Sequence, residues 1–196
     1  MAETFNFSGH ETFHCRPFWL KKGYDFLQDG RSFGKEDAVA YLGVGKNMVT
    51  AIKFWMKAFG MAGDDGPSEL STRLLSDDGW DPYLEDIGSL WLLHYHLVKE
   101  KHNSIASIIF NDLRDRTPEF NVHNYTGFIT SEKIKANTKT LERDFSTFLR
   151  NYRDKESDEI DDLSGLLSDL QLVGMTKVDA KDETDRKARK VYFIER

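Results

Sequence analysis

The chain has 196 residues, 39% of them hydrophobic, which is enough to bury one large core or two small ones. Its net charge of -6 excludes a protein that coats nucleic acid over its whole surface, because phosphate binding draws on an excess of Lys and Arg; any DNA contact has to be local. A single cysteine, Cys15, excludes an internal disulfide and a multi-thiolate zinc site. No run approaches the roughly eighteen apolar residues of a membrane span, and MAETFNFSGH lacks the regions of a secretion signal, so the expected compartment is the cytoplasm.

The first motif, His10-Glu11-Thr12-Phe13-His14, matches the HExxH pattern in which two histidines one helical turn apart bind zinc and the glutamate activates water. Gly9 precedes it, and Pro17 biases Arg16 away from the helical region, leaving little room for the long helix such a site needs. No zinc-protease site is expected. His10, Glu11 and His14 are kept as a polar cluster of nuclease type. Cys15 reads as a small buried hydrophobe. Pro17 opens a helix at little cost, since its missing N–H would be unpaired there, so FWLKKGYDFLQ is the first helix, ended by Asp29-Gly30.

GKEDAVAYLG and KNMVTAIKFWMKAFG give two short helices around Gly43-Val44-Gly45, and together they read as a helix-turn-helix from about Glu36 to Trp55. Val39, four residues before Gly43, is the slim residue expected to face the second helix. Val44 and Val49 pack behind the turn, and Ile52 follows at helical spacing. The opposite face carries Lys46, Asn47, Thr50 and Lys53, with Lys57 in the last turn. Lysine and threonine bond phosphates, and asparagine pairs with the edge of adenine in the major groove. From Ala38 to Gly63 there is no Asp or Glu, where the average density of acidic residues would put roughly four. The alternative is a plain helical hairpin, or a winged helix that binds protein. GMAGDDGPSELS adds a turn between two short extended pieces, the pattern of a wing.

From Trp80 the chain becomes an aromatic loop feeding an apolar helix from about Ser89, its expected N-cap, to Lys99, which should pack in the centre. Asp81, Glu85 and Asp86 are candidate ligands for Mg2+ or Mn2+, with a helix-capping loop as the alternative. His94 and His96, two apart, fall on different faces and read as core-edge residues. A helix around Ser104 to Leu113, a loop through Pro118 and Gly127, and a long amphipathic helix follow. In the last of these Ile134, Leu141, Phe145, Phe148 and Leu149 recur at helical spacing. After DKESDEIDD the end reads as a helix and then a hairpin with a charged tip, a degenerate winged helix. The expected fold is mainly α with small β wings. Its three parts are a winged helix-turn-helix unit (1–78), a central helical bundle (79–154), and a C-terminal helix plus β-hairpin (155–196).

Four blocks in order, FSGHETFHCRPFWLKKGYDFL, LGVGKNMVTAIKFW, DGWDPYLEDIGSLWLLHYHL and TLERDFSTFLRNY, resemble a bacterial domain-of-unknown-function family of the SspB type, associated with DNA phosphorothioation and phage-defence loci. The resemblance implies a role on double-stranded DNA beside other proteins of such a system. Its catalytic form is a Mg2+- or Mn2+-dependent nickase, and its alternative is a non-catalytic accessory or transcription-regulator-like protein. It supplies no catalytic residues, so His10, Glu11, His14, Asp81 and Glu85 are candidates from local chemistry alone.

Overall fold

The computed structural model describes residues 5–34, 37–63, 66–99, 102–153, 164–178 and 189–195. Helix α1 (Trp19–Gln28) follows Pro17 and turns Trp19, Leu20, Gly23, Tyr24 and Phe26 inward. It crosses α3 (Lys46–Ala58), which buries Val49, Ala51, Ile52, Phe54, Trp55, Met56 and Ala58. The helices come close because Gly23 has no side chain: a Cβ there would lie 2.8 Å from Met56 Cγ and 3.2 Å from Ile52 Cγ2.

Between them, α2 (Ala38–Leu42) ends at Gly43, whose φ of 64° closes the turn into α3 in the left-handed region that glycine enters without strain. Here one expectation is corrected. Val39 is 41% exposed, and Ala38 and Leu42 are the buried residues of α2. In a helix of only five residues the inward face is a single i, i+4 pair, and Val39 is rotated about 100° away from Ala38. After α3, Ala62 and Pro67 form one antiparallel bridge, flanked by hydrogen bonds from Gly63 N to Gly66 O and from Ser68 N to Met61 O. This is a minimal hairpin. Ser68 then caps α4 (Glu69–Leu75), accepting the Ser71 N–H.

Helix α5 (Ile87–Lys99) begins two residues before the expected N-cap Ser89. Asp86 takes that place, its Oδ1 accepting from Gly88 N at 2.6 Å and its carbonyl from Ser89 N. The helix buries one face only, through Ser89, Leu90, Leu93 and Leu97. Next, α6 (Ser104–Ser107) passes through a π-helical stretch, Ile108–Leu113, into α7 (Arg114–Arg116). Where a loop through Gly127 is expected there is a helix, α8 (Val122–Ser131), because Asn121 and Asn124 form a reciprocal capping box at its start. The long amphipathic helix is α9 (Thr138–Tyr152), capped by Asn137.

The C-terminal hairpin is present as β2 (Val173–Val178) and β3 (Arg189–Ile194), paired from Val173↔Ile194 to Val178↔Arg189. A two-residue strand, β1 (Glu119–Phe120), joins its other edge, giving the order β1-β3-β2. Phe120 and Tyr192 close the sheet onto Phe145 of α9. Of the helix expected before the hairpin, the described residues form a 3-10 turn, Ser168–Leu170; residues 154–163 and the charged tip, 179–188, lie outside the described residues. Buried side chains from all three stretches of the sequence join one apolar cluster, from Cys15 to Val173. The architecture is mainly α with a small antiparallel sheet. Among the described residues no helix is long and apolar enough to cross a membrane.

The tight crossing generates a paired expectation for urea unfolding. Gly23→Val should cost about 1–3 kcal/mol by overpacking against Met56 and Ile52. Gly127→Ala, in a helix where an added Cβ meets nothing within 4 Å, should stabilise by about 0.5–1 kcal/mol.

Candidate functional site

The exposed face of α3 starts at an open end. Gly45, its N-cap, is extended and supplies no capping side chain, so the first N–H groups of the helix point outward with partial positive charge. Lys46, Asn47, Thr50 and Lys53 are all exposed along the same helix, and Lys57, one turn on, is half-buried. Between this helix, the end of α1 and the hairpin lies a cleft of about 350 Å³ lined by Arg31, Ser32, Lys53, Lys57, Gly63 and Gly66 among others. Arg31 is held there by its guanidinium 4.1 Å above the Tyr41 ring and by an ion pair with Asp37 at 3.1 Å. Sequence reading had not singled out Arg31, although it directly follows the Asp29-Gly30 helix stop. The structure therefore brings the five predicted DNA-facing residues onto one side of the molecule and adds an arginine.

The buried face of α3 meets the N-terminal motif. Residues 8–13 form two consecutive turns, closed by hydrogen bonds from Glu11 N to Ser8 O and from Phe13 N to His10 O, with Glu11 and Thr12 at positive φ. His10 Nδ1 accepts the Thr12 N–H, which leaves its Nε2–H to donate to Asp144 Oδ1 at 2.8 Å. The same carboxylate oxygen accepts the Ser8 N–H at 2.8 Å. The His10 ring stacks on Trp55 of α3, whose indole N–H donates to Phe13 O at 3.0 Å. Cys15 N donates to Asn151 Oδ1 of α9, and burial pushes the Cys15 thiol well up. His14 is buried beside them, and Glu11 is exposed. His10 and His14 thus sit in a strap that ties α3 to α9. Asp144 is not among the candidates from the sequence, yet its spacing is readable there: it lies between Leu141 and Phe148 on the apolar side of an amphipathic helix.

The acidic candidates lie in the loop before α5. Asp81 Oδ1 accepts from Glu85 N at 3.0 Å and Oδ2 from Asp86 N at 2.9 Å. Desolvation alone would raise its pKa. Hydrogen bonds from the Ser89 side chain and from the Asp86, Glu85 and Leu84 backbone outweigh that and hold the carboxyl below its usual range. Glu85 and Asp86 are exposed. Among the described residues no three His, Cys, Asp or Glu side chains converge where an ion could be held. As arranged, the carboxylates of Asp81 and Asp86 shape the loop that leads into α5.

His94 is mostly buried, its Nδ1 2.8 Å from the Tyr152 hydroxyl and its ring edge-on to Phe110. Desolvation lowers its pKa to about 4. His102, against Phe54, is also lowered, by desolvation and then by the charge of Lys57.

With this geometry in view, residues 7–191 match the family described as "Protein of unknown function (DUF4007)". The chain belongs to this family. It is similar to two solved structures, an SspB crystal structure (25% identity, TM-score 0.74, covering 97% of this chain and 59% of that one) and a magnesium ion-bound SspB crystal structure (25% identity, TM-score 0.72, covering 97% and 60%). The chain therefore spans about three-fifths of the length of the structures it resembles. No curated protein matches it.

His94 generates a pH dependence. Its folded pKa is depressed, so between its ordinary value of 6.5 and about 4 the unfolded chain takes up a proton that the folded chain does not. Stability from this residue is complete above pH 6.5 and is lost as pH falls toward 4, by about 2–3 kcal/mol. In chemical denaturation across this range, His94→Phe should flatten that part of the slope.

Proposed function

We propose that this chain binds duplex DNA through the exposed face of α3, as a component of a DNA phosphorothioation-linked or related phage-defence system that includes other proteins. The observation that carries the reading is the arrangement of Lys46, Asn47, Thr50 and Lys53 along a 13-residue helix with an open N-terminus and no acidic side chain. Such a helix is about 20 Å long and fits the major groove. Lys46 and Lys53 contact phosphates, and Asn47 and Thr50 lie nearer the bases. The cleft with Arg31 and Lys57 extends the basic surface toward the hairpin, which takes the place of a wing. The family membership and the similarity to SspB support the defence setting.

A second reading, Mg2+- or Mn2+-dependent nicking, is favoured by the magnesium ion in one SspB structure. It would assign Asp81, Glu85 and Asp86 to the metal and Glu11, His10 or His14 to proton transfer. It also requires His10 to leave Asp144, and Asp81 to release two backbone N–H groups. Binding without cutting asks for no such rearrangement and is the reading preferred for this chain.

Fluorescence anisotropy with short duplexes over a salt series tests the binding. Lys46→Glu combined with Lys53→Glu should weaken every sequence alike and reduce the slope of log K against log salt by about 2, since each neutralised phosphate contributes about one counterion. Unchanged affinity and slope would place the DNA face elsewhere. Incubation with supercoiled plasmid and Mg2+ or Mn2+ is expected to leave it intact. Relaxation by the wild type that is lost in Glu11→Ala and Asp81→Ala would move the assignment to the nickase.

A further inference from the structure

Helix α5 has a second face that the fold does not use. Ile87, Trp91 and Tyr95 recur every four residues along it and are 50%, 47% and 56% exposed; Trp80 (66%) and Tyr83 (57%) extend the apolar surface into the preceding loop. The opposite face, through Leu90, Leu93 and Leu97, already holds the helix to the core. Contiguous exposed aromatic surface of this kind marks an interaction site, and Trp and Tyr are the side chains enriched in such sites. Trp91 is also braced, its ring edge-to-face with His94 at 5.8 Å.

The charges around the stripe say what fits it. Its N-terminal end carries the exposed residues Glu85 and Asp86, whose carboxylates would repel phosphates and so disfavour nucleic acid. Its C-terminal end carries Lys99, whose ammonium lies 5.5 Å from the centre of the Tyr95 ring. The face is therefore apolar in the middle, negative at one end and positive at the other. A surface with that pattern complements a copy of itself turned end for end.

We infer that two copies of this chain pair through α5, antiparallel across a two-fold axis near Trp91. That axis sets Trp91 against its counterpart and Ile87 against the partner's Tyr95, and it brings the partner's Lys99 to the end of the stripe that carries Glu85 and Asp86. Ile87 to Lys99 spans about 18 Å of helix, so both ends of each copy are engaged. A parallel pairing would set carboxylates on carboxylates and lysine on lysine. A two-fold interface of this kind is the commonest way for identical chains to associate.

Sedimentation velocity on the full chain over a range of concentrations provides the test. The wild type should form a dimer, and Trp91→Glu should weaken it by about 30-fold or more, as expected for a central aromatic anchor. Its circular dichroism should be unchanged, because the side chain is half exposed in one copy. Lys99→Glu should also weaken the dimer, and combining it with Glu85→Lys should restore it, the capping residue Asp86 being left in place. Under mild oxidation an equal mixture of Ile87→Cys and Tyr95→Cys chains should give a disulfide-linked pair that neither chain gives alone; Cys15 is buried and does not compete. A wild type that stays monomeric at every concentration would overturn the proposal and leave the face to a different protein. A dimer insensitive to Trp91→Glu would place the interface elsewhere. Cross-linking of Ile87→Cys with itself would overturn the antiparallel orientation.

Discussion

Asp144 lies on the inward side of α9 with 1% of its surface exposed, and a carboxylate so far from water has to be hydrogen-bonded to stay. It is satisfied by the Nε2–H of His10 and the backbone N–H of Ser8, both from a segment more than 130 residues away in the chain. Through that bond the N-terminal turns are laid across α9 and against Trp55 of α3. The contacts of Cys15 with Asn151 and of Trp55 with Phe13 then follow along the same strap. Removing the carboxylate would strand the buried His10 donor and release the Ser8 N–H.

The strap fixes the back of α3 and so decides what its front can do. Seven residues of that helix are buried, and the charged and amide side chains are left on the opposite face with few rotational alternatives for the helix as a whole. A rigid basic face backed by a packed aromatic layer is the right kind of element for placing side chains against a duplex. The same arrangement accounts for two histidines of the HExxH pattern. The His10 imidazole holds the Thr12 N–H and the Asp144 carboxylate in the interior, a use for which a short polar ring with one donor and one acceptor is well suited, and His14 is buried beside it.

Helix α5 shows a comparable division. Its leucines serve the core, and its aromatic residues stand in solvent beside a loop closed by the Asp81 carboxylate. Asp81 closes the loop onto Glu85 and Asp86, and Asp86 in turn starts the helix. The aromatic stripe therefore starts directly after a loop that Asp81 and Asp86 hold by accepting backbone N–H groups.

The turns and caps were legible in the sequence because their causes are local. Gly43 ends α2, Asp29-Gly30 ends α1, and the periodicity of Leu141, Phe145 and Phe148 gives α9 its buried side. Helix α8 forms where Pro118 and Gly127 suggest a loop, because Asn121 and Asn124 cap its start reciprocally. For the candidate site, Lys46, Asn47, Thr50 and Lys53 could be placed together from spacing alone, since a single helix carries them. Which atoms meet His10, Asp81 or Trp91 was settled only by the tertiary structure. Hydrogen-bond partners more than 130 residues apart leave no mark on local pattern, and a histidine or carboxylate offers the same chemistry to a metal, a substrate or a buried N–H. A helix as apolar as α5 reads as core all round, and only the position of its neighbours leaves one side of it facing water.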